Sequence, residues 1–337
     1  MSTITTAASF GSASNWSGSF IPSLWSAKMI QKFYATSVFG DIANTDYEGE
    51  IKGYGDKVVI NTVPDATIIN YTMGNLGTHE TPYSAPVELN IDKAKAFRLT
   101  VNDILTHQSK PKLMDVLAEN AAQRMRMTID SNVIYNSFTQ GSANNKGATA
   151  GVKSSSFDLG TDAAPLNISA ASPTVSALTT ITRLASVLDE QNVPDEGRWL
   201  VIDPWTRNLL MQGNLAQAYI TGDDKSIIRN GLIGTIDRFK IYVSNQLPIA
   251  LATQAYWTGA QHDATNNPEN TVSKTAHATA KEHVIMAGHK TAITFASQIV
   301  NTETLRNPSD FGDLMRGLQV FGYKVVKPES LAMAIVY

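Results

Sequence analysis

Between residues 111 and 138 apolar side chains return every four positions, at Leu113, Leu117, Ala121, Met125, Ile129 and Val133. The repeat predicts one helix of about 28 residues, opened by Pro111, which suits a first helical turn. At 1.5 Å per residue such a helix runs roughly 40 Å, while globular helices average about a dozen residues. A four-residue spacing drifts around a 3.6-residue helix, so the apolar stripe winds and does not keep to one side. The 337 residues allow one large or two intermediate domains with a real core. A helix this long overruns such a core.

Residues 45–101 make a similar demand. Val58, Ile60 and Thr62 alternate with Val59, Asn61 and Val63; Val87, Leu89 and Ile91 alternate with Glu88, Asn90 and Asp92; Phe97, Leu99 and Val101 continue the pattern. Period-two alternation argues for strands with one face in water. Between them TMGNLGTHETPYSAP is a turn-rich tip. The whole reads as a long two-stranded excursion. An isolated hairpin is marginal in water, so this one is expected to rest on something outside its own domain.

The rest of the chain reads as α+β without an internal repeat. The small, polar residues 1–20 cannot bury enough area to fold alone and read as a free tail, or as an arm that orders on a neighbour. Pro22 opens a helix whose face carries Trp25, Met29, Ile30 and Phe33, running through Phe39 and ending at Gly40. Residues 141–173 and 254–280 read as exposed polar loops. Val175 to Leu188 mark another helix, Trp199 to Ile202 a buried strand, and Asp203 the N-cap of a helix from Pro204. Residues 238–245 alternate as a strand. Val284–Ala287 and Thr291–Ala296 read as strands around a turn at Gly288, and strands around Leu318–Val326 and Leu331–Tyr337 close the chain.

Charged residues make up 17% of the chain, below the usual quarter. That leaves a neutral polar surface suited to packing against copies of itself. The net charge of −3 lacks the basic excess that phosphate binding requires, so a chain that meets DNA on these terms encloses it and does not grip it. There is no cysteine, which removes disulfides, thiolate metal sites and cysteine nucleophiles. Residues 1–27 carry no charge and so lack a signal peptide's basic start. No apolar run approaches the eighteen or so residues of a membrane helix. The expectation is a soluble chain, cytoplasmic at synthesis, with no membrane partner.

Catalytic signals are few. No phosphate loop, dinucleotide fingerprint, nucleophile elbow or zinc helix occurs, and Gly53-Tyr54-Gly55 is only a turn fragment. His283 and His289 bracket one strand, with His277 before it; positions six apart on a strand lie about 20 Å apart, too far to share a metal. Asp46, Glu48 and Glu50 share a strand face, read as a solvated edge or a divalent-ion site. Asp223-Asp224-Lys225 reads as an exposed turn. Arg124 and Arg126 either cover apolar surface with their stems or pair with a neighbouring subunit. No catalytic, cofactor-binding or metal residue is expected, no cofactor, and no enzyme.

Four segments together resemble a known family. GLIGTIDRFKIYVSNQLP (231–248), the preceding RWLVIDPWTRNLLM (198–211), FGYKVVKPESLAMAIV (321–336) and FIPSLWSAKMIQKFYATSVFGDI (20–42) occur in the order found in tailed-bacteriophage major capsid (coat) proteins with the Hong Kong 97-type fold, nearest to those of short-tailed phages. The resemblance implies residues 1–44 as an N-terminal arm and short helix and 45–101 as an extended β loop over a neighbour. It implies 102–173 as a peripheral domain with the long spine helix and a surface loop, 174–300 as an axial domain, and 301–337 as strands completing both. It further implies self-assembly into hexamers and pentamers of an icosahedral head enclosing double-stranded DNA without sequence-specific binding. The implied partners are a separate scaffolding protein, since the chain has no room for a scaffolding prodomain, a portal protein, and a decoration or cement protein. The implied location is the virion capsid, assembled in the host bacterial cytoplasm. Lys52 and Lys57 are candidates for a family cross-link, but nothing marks a partner Asn, so none is expected. An encapsulin-type nanocompartment shell of the same fold, a tail or decoration protein, and a soluble α+β enzyme without recognisable motif are the alternatives.

Overall fold

The computed structural model describes residues 37–47, 57–64, 66–70, 73, 80–81, 83, 86–103, 113–169, 173–212, 235–251, 254–259, 271–275, 281–308 and 310–337. Its first element is a single helical turn, α1 (Phe39–Ile42). Gly40, expected to end a helix, sits inside this turn, and the chain leaves it at Ala43, whose backbone is extended. The helix expected from Pro22 lies outside the described residues.

The excursion is present as an antiparallel pair, β1 (Lys57–Asn61) and β2 (Pro86–Asn90), with Lys57 opposite Asn90. Only Ile60 and Leu89 of the pair are buried. With Ile91 and Ala296 they form a small cluster at the root. The sequence groups residues 93–101 with this pair; the structure separates them. After Ile91 and Asp92 the chain enters β3 (Lys93–Asn102), which pairs with β12 (Gly312–Val325), and β12 pairs with β11 (Ile293–Arg306). Alternation announces a strand but not its partner.

Gly322 allows the root to lie on this sheet, because a Cβ there would come 2.1 Å from the Asn90 carbonyl oxygen. Gly322→Ala is expected to destabilise the subunit by roughly 1–3 kcal/mol. A thermal melt, with hydrogen exchange rising at residues 89–92, checks it.

The long helix is α2 (Leu113–Ser137), extended by a 3-10 turn at Phe138–Gln140. Its 25 residues span about 37 Å. The two halves differ. No residue from Met114 to Thr128 is buried, whereas Ile129 through Tyr135 all are. The first half therefore projects past the core, as a winding stripe requires.

An eight-stranded sheet makes the middle layer. It contains β4 (Arg198–Ile202), β5 (Thr235–Ile236), β6 (Phe239–Val243), β7 (Ile249–Ala250), β8 (Tyr256–Thr258), β9 (Thr271–Ser273), β10 (Glu282–His289) and β13 (Leu331–Val336). Strand β10 is central, paired with β13 on one side and β4 and β7 on the other. Val201, Val284, Met286 and Ile335 face the buried end of α2. Leu200, Ile285, Ala287 and Val336 face α3 (Ala177–Glu190) and α4 (Pro204–Gln212). Cover on both faces is why β10 and β13 read as apolar runs and not as alternating strands. The Ser176 hydroxyl caps α3 by accepting the Thr179 N–H at 3.1 Å, and Asp203 caps α4 by accepting the Thr206 N–H at 2.9 Å.

Three sequence expectations change. Residues 141–169 are not an exposed loop. They line the edge of β13, with Leu166 N–H donating to the Ile335 carbonyl and Ile335 N–H to the Leu159 carbonyl, each at 2.9 Å. Leu159, Leu166 and Ile168 are buried, and the Asn145 amide donates to the carbonyls of Glu329 and Leu331. Irregular backbone pairing carries no periodicity, so composition alone suggests a loop. Within 254–280, β8 and β9 pair; residues 260–270 and 276–280 lie outside the described residues. Gly288 is not a turn but lies inside β10 opposite Trp199, where a Cβ would come 2.8 Å from the indole; the turn falls at Lys290–Thr291.

Candidate functional site

The features lacking support from the chain's own fold are surfaces. On the excursion Val63 is 93% exposed, Ile68 92% and Met73 90%, and Tyr83 is nearly as bare. Apolar side chains this open, on a two-stranded ribbon, gain burial only against another surface. Phe311, beside the turn joining β11 to β12, is likewise exposed. A cleft of about 770 Å³ opens between the projecting half of α2 and β12. Ala118, Ala122 and Met125 wall one side and Phe97 and Leu318 the other, with residues 37–41 crossing one part.

Asp130 fixes that crossing. Its Oδ1 accepts the N–H groups of Val38 at 3.1 Å and Phe39 at 2.8 Å, so α1 receives its N-terminal acceptor from a residue about ninety positions away. Burial raises the carboxyl against the pull of the two N–H donors and leaves it at about 7. An acid whose folded pKa stands above its ordinary 3.8 holds its proton more tightly when folded. Its contribution therefore favours the fold in acid and is lost as pH rises from about 4 through 7. Asp130→Asn is expected to melt with the parent at pH 4–5 and above it at pH 8, by a gap on the order of 2 kcal/mol. Paired melts across that range check it.

The buried charges belong to the interior. Lys274 and Glu282 form an ion pair with both side chains fully buried, and the Lys274 ammonium lies 4.9 Å from the Trp257 ring centre. Buried Arg198 lies 2.7 Å from Asp189 and 3.2 Å from Asp195, and Arg238 pairs with the same two carboxylates. Those pairs hold the β5–β6 turn, where Asp237 and Arg238 both take positive φ. Sequence reasoning misses Asp130, Arg198, Lys274 and Glu282, because a lone charge in an apolar stretch does not name its partner.

His283 is buried, with Nδ1 2.7 Å from Asp203 Oδ2 and Trp205 stacked on its ring at 4.6 Å. Burial pushes Asp203 up, but His283 and Thr206 outweigh it and hold the carboxyl below its usual value. His289 contacts the Glu196 carbonyl and the Thr291 hydroxyl. These histidines have separate structural partners, and among the described residues no group of three His, Cys, Asp or Glu could hold a metal. Asp46 donates its backbone N–H to Asn44, and Lys57 pairs with Glu88 at 3.1 Å. Arg124 and Arg126 are exposed on the projecting half of α2, Arg126 at the cleft. His277, Glu48, Glu50, Lys52, Gly53–Gly55 and residues 223–225 lie outside the described residues.

A family model described as phage capsid protein matches residues 84–334. No curated protein matches the chain. Among solved structures, one from Mycobacterium phage Che8 is 23% identical with a TM-score of 0.67, over 94% of this chain and 97% of that one. A capsid structure of the cyanophage P-SCSP1u is 15% identical with a TM-score of 0.69, over 94% and 93%. The mature capsid of bacteriophage PhiM1 is 12% identical with a TM-score of 0.63, over 99% of each chain.

Proposed function

The chain belongs to the phage capsid protein family, as a major capsid protein whose copies form the shell of a phage head, and we propose that they close it as hexamers and pentamers around double-stranded DNA. The family is a structural one and not an enzyme family. The fold is α+β, of the Hong Kong 97 type shared with the capsid structures above.

The observation that carries the proposal is the bare excursion, with Val63, Ile68 and Met73 open to water at the far end of a two-stranded ribbon. In a ring of head-to-tail copies each excursion lies over the next subunit, and closure repeats one interface around the ring. The proposed division keeps 1–44 as arm, 45–101 as the loop over the neighbour with β3 seated in the long sheet, 102–173 as peripheral domain, 174–300 as axial domain, and 301–337 as the completing strands. The net charge of −3 suits a wall that encloses DNA without holding it. A separate scaffolding protein, a portal protein and a decoration or cement protein complete the assembly, which takes place in the host bacterial cytoplasm before the shell becomes part of the virion.

Electron microscopy of the chain expressed with its adjacent scaffold gene tests this. Closed icosahedral particles with hexameric and pentameric clusters are expected. Monomers or dimers alone, with and without scaffold, would overturn it.

A further inference from the structure

We propose that Phe311, beside the turn joining β11 to β12, is an anchor that docks into a hollow on the long sheet of a second copy of this chain, between Arg98 and Arg316. The inference rests on the shell reading and deepens it, because it names one pair of surfaces through which copies meet.

The anchor is bare yet held. Phe311 is 78% exposed. Its N–H donates to the Asp310 carboxylate at 2.8 Å, and the same carboxylate accepts the Asn102 amide at 3.1 Å. Its carbonyl accepts the Asp103 N–H at 3.2 Å. Arg306 donates to Asp103 at 3.0 Å and to Asp313 at 3.1 Å. Gly312 lets the chain press onto β3, since a Cβ there would come 2.3 Å from the Val101 carbonyl oxygen. An aromatic side chain on backbone held this firmly loses little freedom on docking, which makes it an effective anchor.

The hollow is its complement. Ala96 stands opposite Leu318, and Leu318 opposite Asn301; two residues along, Arg98 stands opposite Arg316, and Arg316 opposite Glu303. Cross-strand partners share a face, and a hollow of about 530 Å³ opens among these six. An apolar void of about 150 Å³ already holds a benzene ring, so the Phe311 ring has room against Ala96 and Leu318. The charges agree. Asp103, Asp310 and Asp313 outnumber Arg306 around the anchor, whereas Arg98 and Arg316 outnumber Glu303 in the hollow. Glu303 is bonded to Arg316, and Arg98 pairs with no carboxylate among the described residues. Two anchors set face to face would repel. The anchor cannot enter the hollow of its own subunit, because Leu318 lies six residues beyond Gly312 on one strand, about 20 Å away. The contact therefore runs head-to-tail between copies.

Assembled particles carry the test. p-Benzoylphenylalanine in place of Phe311, in a minority of copies co-expressed with the parent chain and the adjacent scaffold gene, keeps an aromatic at the anchor. On irradiation it reacts with whatever lies against it. The expected product, read by mass spectrometry, joins position 311 of one chain to residues 96–98 or 316–318 of another. Intact particles that cross-link at another surface, to another protein or not at all overturn the docking proposal and leave the shell reading standing. A parent chain that forms no particles overturns both. Phe311→Ser and Arg98→Glu, both at exposed positions, are each expected to lower particle yield roughly tenfold or more, with the melt of the isolated subunit unchanged. Parent-level yield from either variant also overturns the proposal.

Discussion

Ile68→Asp with Met73→Asp is expected to abolish shell formation while moving the melting temperature of the isolated subunit by no more than about 2 °C. Both side chains are about nine-tenths exposed and lie outside every apolar cluster of the fold. The isolated subunit therefore loses no buried contact. The assembled subunit does, because each copy would have to desolvate two carboxylates against its neighbour, and an unpaired buried charge costs several kcal/mol. The same penalty recurs at every copy around a ring, so a modest local cost stops closure. Sedimentation of the co-expressed product, beside a melt of the purified subunit, measures both halves. Normal particles from the double variant would remove the excursion from the assembly interface.

Glu282→Leu alone is expected to cost the subunit about 3–5 kcal/mol, and Glu282→Leu together with Lys274→Met to recover most of it. The side chains of both residues have no exposure, so losing the carboxylate strands an ammonium between β9, β10 and the Trp257 ring. Losing both charges leaves two apolar side chains where an ion pair had to be desolvated. Arg316→Ala makes the contrast: its bond to Glu303 is exposed and screened by water, so its loss is expected to leave the midpoint almost unmoved. Denaturant midpoints for the three variants separate the cases. Additive single effects in a Lys274/Glu282 cycle would mean the two charges do not act as a pair.

Much of this architecture is legible in the residues, and the gaps have physical causes. Helix α3 announces itself by Ile181, Leu184, Ala185 and Leu188 and by its flanking turns, since one covered face produces one clean period. Strand β4 and the Asp203 cap are equally readable. Partnership is not. Strand β3 alternates as cleanly as β1, yet it belongs to another sheet, because alternation reports exposure and is silent on which ladder a strand joins. Residues 141–169 hide their order for a different reason: it comes from backbone bonds with Ile335 and Tyr337 and from the Asn145 amide donating to the Leu331 carbonyl, all far away in sequence. The excursion and the overlong helix stand out in the sequence as elements in want of support, since each keeps surface that the described residues do not bury. The ion pair of Lys274 with Glu282 and the latch at Asp130 leave no trace in spacing.

The layered sheet also has a mechanical meaning. With β10 and β13 covered on both faces, bending the subunit would shear two cores at once, so it behaves as a stiff plate. The excursion is rooted beside that plate, on the β3–β12–β11 sheet, by a cluster of four buried side chains, Ile60, Leu89, Ile91 and Ala296. Stiffness in series is governed by its weakest spring. Pressure from within a shell of such plates should therefore deform the joints around Ile91 first and leave the plates flat, so the shell yields by rotation at its seams well before any subunit loses its shape.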